Sequence, residues 1–146
     1  MYLDSAIIVK LLTKEDDSAF FQKHLAGGRF SISELSGTEV LSALLGKERA
    51  NFLSPAQRKM AWQEFQDRTA AREFFLLPLN SSTLTKAGSL LQACHPQVPL
   101  RALDAIHLSA CDLSQDFPLC TTDRRMREAA SFLKIPLFPE TLPPAN

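Results

Sequence analysis

The sequence predicts an α/β fold in which helices cover both faces of a central, mostly parallel β-sheet. Short apolar runs alternate along the chain with longer segments whose apolar residues recur at helical spacing. This alternation is typical of parallel sheets, because two parallel strands need a crossover connection that is usually a helix. The chain has 146 residues, of which 45% are hydrophobic and 22% charged, so one globular domain is expected.

Five segments have the composition of short strands. Each is brief and largely apolar, and each is bounded by polar residues, glycine or proline. The predicted strands are Tyr2–Leu3, Phe30–Ser33, 74–79, 119–121 and 136–139.

Seven further segments have helical signals. Ser54 and Gln57 flank Pro55, a capping box with proline in the first turn, and so predict the start of a long helix. Ser81 or Ser82 is expected to cap the next one. Leu103, Ile106, Ala110 and Leu113 recur at helical spacing and predict a buried apolar stripe. The predicted helices are 5–12, 17–25, 35–45, 55–72, 82–93, 103–113 and 124–133.

The charge and cysteine content narrow the class of protein. Sixteen basic residues balance sixteen acidic ones, which argues against charge-driven coating of nucleic acid or membrane but allows a local basic patch. The cysteines Cys94, Cys111 and Cys120 form no CxxC pair and are expected to be free thiols of a reducing compartment. No apolar run has the length of a membrane span, and no secretory signal is evident. We therefore expect a cytoplasmic protein without a membrane partner.

Four acidic residues stand where an ordinary surface charge is not expected. Asp4 follows the first predicted strand, and Asp123 follows the strand at 119–121. The carboxyl ends of parallel strands meet at one rim of a sheet, where ligands gather, so both aspartates are expected there. Glu39 directly precedes an apolar pair in its helix, and Asp104 lies at the edge of the predicted apolar stripe.

Carboxylates that converge in this way require a compensating charge. Two unit charges about 4 Å apart repel by about 4 kcal/mol at an effective dielectric constant of about 20. Either protons or a cation must offset that repulsion. All-oxygen ligands select hard ions such as Mg²⁺ or Mn²⁺, which activate water and stabilise the charge that develops on a phosphodiester. The four acids therefore favour metal-dependent phosphoryl chemistry.

Each acid also has a purely structural interpretation, which the sequence leaves open. Asp4 and Asp123 both precede helices and are suited to N-capping, a role that is compatible with a place on the rim. Glu39 fits the third helical position of a capping box that begins at Ser36. Asp104 lies one turn from Arg101, the spacing of a routine ion pair on a helix surface.

Four stretches taken together resemble the PIN domain family, and within it the VapC-type ribonuclease toxins of bacterial toxin–antitoxin pairs. The stretches occur in the order typical of the family and span nearly the whole chain. They are YLDSAIIVKLL, SELSGTEVLSALL, LRALDAIHLSA and LCTTDRRMREAA. The resemblance implies a single PIN domain over residues 1–140, with a loose C-terminal tail at 141–146.

The resemblance also implies a set of site residues. The metal-binding and catalytic acids of the family correspond here to Asp4, Glu39, Asp104 and Asp123. Two hydroxyls, those of Ser5 and Thr121, are expected to support them. Ala6 departs from the family, in which many members have serine or asparagine at that position. Arg124 and Arg125 are possible contacts for RNA phosphates. His107, three residues after Asp104, could approach the site, but it is expected to pack beside the core, to satisfy a local acceptor and not to bind the metal.

The activity that the resemblance implies is endoribonuclease cleavage that depends on Mg²⁺ or Mn²⁺. The expected partners are the RNA substrate, a VapB-type antitoxin protein and a second copy of the chain in a homodimer. Apolar helical surfaces around 7–12 and 40–45 could serve the protein contacts or belong to the core. An alternative is a non-catalytic PIN-like module that binds RNA or protein, although the presence of all four acids argues against it. A small α/β phosphatase is a third possibility, weakened by the lack of a DxD pair and of a phosphate-binding glycine loop.

Overall fold

A computed structural model describes residues 1–143 of the chain. In this part of the chain five strands form one sheet, and every neighbouring pair of strands is parallel. The strands are β1 (Tyr2–Leu3), β2 (Phe30–Ser33), β3 (Phe74–Leu77), β4 (Leu119–Cys120) and β5 (Leu137–Phe138). Their order across the sheet is β3-β2-β1-β4-β5, so the first strand of the chain lies at the centre. The predicted parallel α/β architecture is therefore confirmed.

Seven helices within residues 1–143 connect and cover the strands. Each corresponds to a predicted segment, with ends that differ by a few residues. They are α1 (Ser5–Leu12), α2 (Ser18–His24), α3 (Leu35–Arg49), α4 (Pro55–Ala70), α5 (Ser81–Cys94), α6 (Ala102–Ser114) and α7 (Arg124–Phe132).

Side chains on the two faces of the sheet belong to two separate cores. Successive residues of a strand point to opposite faces. Leu3 and Cys120 accordingly join a cluster built from α1 to α4, whereas Tyr2 and Leu119 join a cluster built from α5 to α7. The helices therefore cover both faces of the sheet, as the sequence predicts.

Helix starts follow the capping signals, with one correction. The capping box of Ser54 and Gln57 is present, with hydrogen bonds of 3.1 and 2.8 Å. The prediction that Ser81 or Ser82 caps α5 is wrong, because Asn80 does so by accepting a hydrogen bond from the Thr83 amide at 3.1 Å. Asparagine is among the strongest N-caps, and its place one residue earlier puts both serines inside the helix.

The predicted apolar stripe of α6 is only partly buried. Ala110 lies in the core, but Leu103 and Leu113 are 50% and 51% exposed, whereas Leu108 and Cys111 on another face are fully buried. Helix α6 carries apolar residues around most of its circumference. Periodicity alone therefore does not determine which of its faces packs on the sheet.

The three cysteines are buried free thiols, as predicted. No helix in residues 1–143 has both the length and the apolar character needed to span a bilayer. Of the predicted C-terminal tail at 141–146, residues 144–146 lie outside the described part of the chain. The segment just before it is attached to the body by Arg127, whose guanidinium donates to the carbonyl oxygens of Thr121 at 3.1 Å and Glu140 at 2.8 Å.

The packing of α6 leads to a prediction for a pair of identical substitutions. Leu108→Ala should lower the free energy of unfolding by about 2–5 kcal/mol, because it removes a fully buried side chain and leaves a cavity. Leu113→Ala should change it by about 0.5 kcal/mol or less, since that side chain is half exposed. Urea denaturation followed by the fluorescence of Trp62, the single tryptophan, measures both. Equal losses would contradict the assignment of the buried face.

Candidate functional site

The site lies at the carboxyl ends of the central strands. Strands β2 and β3 lie on one side of β1 in the sheet, and β4 lies on the other side. The order of strands therefore switches between β1 and β4, and such a switch opens a crevice at the rim. Leu3 pairs with Cys120 across these two strands, so Asp4 and Thr121 follow as neighbours at the rim.

Asp4 is the most buried of the four predicted acids, with 2% of its surface exposed. Its Oδ1 accepts a hydrogen bond from the Ile7 amide at 2.8 Å and so caps α1, while its Oδ2 accepts one from the Thr121 hydroxyl. Burial raises the pKa of Asp4 in spite of these two bonds, and the negative charge of Asp123 raises it further. N-capping and a position on the rim therefore coexist in one residue.

Thr121 joins Asp4 to Asp123. Its buried hydroxyl donates to Asp4 and accepts a hydrogen bond from the Asp123 amide at 3.1 Å. Asp123 itself is exposed and caps α7, because its Oδ1 accepts from the Met126 amide at 2.8 Å. The structure thus places the predicted supporting hydroxyl between two of the predicted acids.

Asp104 lies in the first turn of α6 and is partly buried. Burial and the negative charge of Asp123 raise its pKa, and the backbone of Arg101 and the charges of Arg125 and Arg101 only partly offset this. Within residues 1–143 no salt bridge joins Asp104 to Arg101. The interpretation of Asp104 as one half of a surface ion pair is therefore wrong.

Glu39 lies inside α3, where it contacts α1 and α6. The helix begins at Leu35, so the capping box that the sequence allowed at Ser36 does not form. The Oε2 atom of Glu39 instead accepts hydrogen bonds from the Ser5 hydroxyl and from Nε2 of His107, the latter at 2.7 Å. Burial raises the pKa of Glu39, but these two partners outweigh it and lower the pKa overall.

His107 contacts a predicted site acid, although it is not among the site residues that the sequence predicts. It is 3% exposed, and its Nδ1 lies 2.7 Å from the hydroxyl of Tyr2, which is fully buried. We expected a local acceptor for this histidine, and this is wrong, because its Nε2 contacts Glu39, which lies 68 residues away in the chain. Its position three residues after Asp104 was the only local signal, and nothing local indicated its distant partners.

Arg124 and Arg125 occupy the first turn of α7, directly after Asp123. Arg124 is exposed and Arg125 is partly exposed, so both guanidinium groups are available at the rim. The charge of Arg125 acts on Asp104, as its effect on the pKa of that carboxyl shows. A local positive charge therefore stands beside the acids in a protein of zero net formal charge.

The residues at the rim fit a hard divalent cation in chemistry and charge. Carboxylate and hydroxyl oxygens are the ligands that Mg²⁺ and Mn²⁺ prefer. The charge of Asp123 raises the pKa of both Asp4 and Asp104, and a cation at the rim would offset this repulsion. As the side chains stand, no three His, Cys, Asp or Glu residues of 1–143 converge closely enough to hold one ion. The hydroxyl of Ser36, buried one turn before Glu39, has no hydrogen-bond partner there.

Comparison with known proteins identifies the family. The model of the PIN domain family matches residues 1–131. This chain belongs to the PIN domain family. Within that family it is similar to Ribonuclease VapC46 of Mycobacterium tuberculosis, with 37% identity over 136 residues, which cover 91% of this chain and 92% of the relative.

A solved structure supports the PIN fold. It is described as a toxin–antitoxin complex from Klebsiella pneumoniae, and one of its chains matches this PIN protein with a TM-score of 0.55 and 18% identity. The match covers 84% of this chain and 85% of the other. At this identity the likeness shows the fold alone.

The pKa values of Asp104 and Glu39 are shifted in opposite directions, so removing the charge of each should change the free energy of unfolding in opposite directions. Asp104→Asn should stabilise the metal-free protein at pH 7, because the raised pKa means that ionisation of Asp104 costs folding free energy above that pKa. Glu39→Gln should destabilise it, because a lowered pKa contributes stability above the ordinary value of 4.5. Urea denaturation in excess chelator measures the free energy of unfolding of the two variants and of the wild type.

The dependence on pH provides the check on this interpretation. The gain from Asp104→Asn should fade as the pH falls through the raised pKa towards the ordinary value of 3.8. The loss from Glu39→Gln should persist down to about pH 4.5 and fade below it. Changes of the same sign in the two variants at pH 7 would contradict the electrostatic account.

Proposed function

We propose that this PIN protein is a VapC-type endoribonuclease that hydrolyses RNA phosphodiester bonds with Mg²⁺ or Mn²⁺, and that it is the toxin of a toxin–antitoxin pair. The observation that carries the proposal is the electrostatic conflict of Asp4, Asp104 and Asp123 at the switch point of a parallel sheet. Such a conflict is relieved by a divalent cation. The similarity to Ribonuclease VapC46 supports the choice of RNA as substrate.

The four acids would take different parts in holding the ion. Asp4 and Asp104 are the proposed direct ligands, and Asp123 joins them directly or through a water molecule. Glu39 binds a second ion or orients the attacking water. When bound, the ion would supply a nucleophilic hydroxide at neutral pH and stabilise the charge on the phosphoryl oxygens.

The hydroxyls keep the acids in place for this task. Thr121 donates to Oδ2 of Asp4, and Ser5 donates to Oε2 of Glu39, so each fixes one carboxylate oxygen. Oδ2 of Asp4 keeps a second lone pair for a ligand. Oε2 of Glu39 also accepts from His107, so on this acid it is Oε1 that stays available. In-line attack of water that expels the 3′ oxygen would leave a 3′-hydroxyl and a 5′-phosphate.

Arg124 and Arg125 are the proposed contacts for RNA phosphates that flank the cleaved bond. Guanidinium groups match phosphate geometry and lie here at the rim beside the acids. Lys10 and Lys47 are weaker candidates, because both form ion pairs with Glu15 at 2.8 Å. This difference in pairing favours the two arginines.

The catalytic proposal is tested by a matched pair of variants on α6. Asp104→Asn should lower the rate of RNA cleavage by about 100-fold or more, the kinetic equivalent of about 3 kcal/mol. Asp112→Asn should retain activity, because Asp112 pairs with Lys86 at 2.8 Å away from the rim. Cleavage of a labelled RNA with added Mn²⁺ measures both rates.

Two outcomes would overturn the catalytic proposal. The first is undiminished turnover by the wild-type protein in excess chelator. The second is RNA binding without turnover under any divalent metal, which would favour the non-catalytic RNA- or protein-binding module. Folding of Asp104→Asn, checked by its unfolding curve, separates lost chemistry from lost structure.

The structure offers a candidate surface for an antitoxin partner that differs from the one expected from the sequence. Residues 7–12 and 40–45 offered apolar helical surfaces, but their large side chains are mostly in the core. An open groove of about 1320 Å³ lies instead between the connection from α1 to α2 and helix α4. Phe52 and Met60 line this groove and are 78% and 72% exposed.

We propose that a segment of a VapB-type antitoxin binds this groove. The exposed apolar side chains of Phe52 and Met60 would accept apolar anchors of the segment. Acidic residues along the groove, among them Asp16, Glu64 and Asp67, would favour basic side chains beside those anchors. The described structural neighbour comes from a toxin–antitoxin complex, which supports a partner of this type. The homodimer and the cytoplasmic location stay predictions.

A charge placed in the groove should weaken that partnership. Met60→Asp should reduce affinity for the product of the short reading frame expected next to this gene by about 30-fold, a loss of about 2 kcal/mol. Leu84→Asp, a matched change of a half-exposed leucine on α5, should bind as the wild type does. Titration calorimetry measures both affinities. Equal affinities for the two variants would exclude the groove.

A further inference from the structure

A buried hydrogen-bonded chain reaches the acidic rim from within the second core. The Tyr2 hydroxyl lies 2.7 Å from Nδ1 of His107, and Nε2 of the same ring lies 2.7 Å from Oε2 of Glu39. Tyr2 is fully buried and His107 is 3% exposed, whereas the Glu39 side chain is 23% exposed. The hydrogen-bonded chain therefore runs from the interior to a carboxylate that is partly exposed to solvent.

The direction of the hydrogen bonds follows from the groups involved. An ionised carboxylate only accepts, so the proton between His107 and Glu39 belongs to Nε2. A neutral imidazole then has a lone pair on Nδ1, which accepts from the Tyr2 hydroxyl. Tyr2 thereby selects the ring form that can donate to Glu39.

Both donors to Glu39 use the same oxygen. The Ser5 hydroxyl and His107 each donate to Oε2, and Ser5 Oγ also lies 3.5 Å from Nε2. Among the hydrogen bonds of residues 1–143, none is made to Oε1 of Glu39. Two donors on one oxygen fix the plane of the carboxylate and leave the other oxygen available.

We propose that His107 is a positioning residue, locked by Tyr2, that holds Glu39 with Oε1 directed to the metal site. This inference rests on the function proposed above, because it assigns a task to one acid of that site. A histidine that merely filled the core would need an acceptor, but any buried carbonyl would serve. Here the acceptor is an acid of the rim, supplied by a helix on the opposite face of the sheet.

Three variants and one reference test the inference. His107→Leu removes both hydrogen bonds, His107→Gln retains an amide donor that reaches where Nε2 lies, and Tyr2→Phe removes one buried oxygen while keeping the ring. Glu39→Gln is the reference, since it removes the charge that His107 is proposed to position. Unfolding curves show that each variant is folded before it is compared.

The first readout is Mn²⁺ affinity without RNA, measured by calorimetry. His107→Leu should weaken it by about 10- to 100-fold, the effect usual for residues that orient a metal ligand. His107→Gln should recover most of that loss, and Tyr2→Phe should show a smaller loss in the same direction. In the Glu39→Gln background, His107→Leu should add no further loss, because the two residues act as one unit.

The second readout is the ring form of His107 in the metal-free protein. Nitrogen-15 NMR should show a protonated Nε2 and an unprotonated Nδ1, and Tyr2→Phe should redistribute the two forms. With RNA, His107→Leu should lower kcat by about 10- to 100-fold at an unchanged KM. If the wild type binds Mn²⁺ but cleaves no RNA, the proposed activity fails while the affinity series still tests His107.

Equal Mn²⁺ affinity in the wild type, His107→Leu and Tyr2→Phe would overturn the inference. A protonated Nδ1 as the dominant form would overturn it as well. If His107→Leu does not fold, Tyr2→Phe and His107→Gln decide the question, because both retain the volume of the side chain approximately. An additive loss in the Glu39→Gln background would show that His107 acts on something other than Glu39.

Discussion

The burial of the Asp4 carboxylate at the centre of the sheet is the constraint on which the site depends. An ionised acid with 2% exposure is costly unless hydrogen bonds or a cation compensate it. The Ile7 amide and the Thr121 hydroxyl supply two bonds, and they tie the start of α1 to the end of β4. Burial nevertheless raises the pKa of Asp4, so the fold retains a site that favours added positive charge.

The four acids divide into two electrostatic groups. Asp4 and Asp104 have raised pKa values, to which the charge of Asp123 contributes, whereas the pKa of Glu39 is lowered. Glu39 has its partner within the protein, because His107 and Ser5 donate to it. A cation would offset the charge of the first group, whereas Glu39 already has partners within the protein that hold it. Two of the four acids, Asp4 and Asp123, also cap helices.

The surfaces of the molecule follow from the same topology. Helices α1 to α4 cover one face of the sheet and leave a groove with exposed Phe52 and Met60. Helix α6 covers the other face and brings Asp104 and His107 to the rim three residues apart. One helix thus supplies a proposed ligand and the residue that positions another, so its packing directly affects the geometry of the site.

Local patterns in the sequence determined the strands and the order of the helices, because capping residues and apolar periodicity act over a few residues. The four acids were singled out by their placement and by the resemblance to PIN domains, and their roles stay predictions. The capping box that was an alternative for Glu39 does not form, because α3 begins at Leu35, and only part of the predicted stripe on α6 is buried, because tertiary packing selects the face. Only the tertiary structure decided the partners of His107, which lie 105 and 68 residues away in the chain. Contacts over such separations result from strand order and helix packing, and no local spacing encodes them.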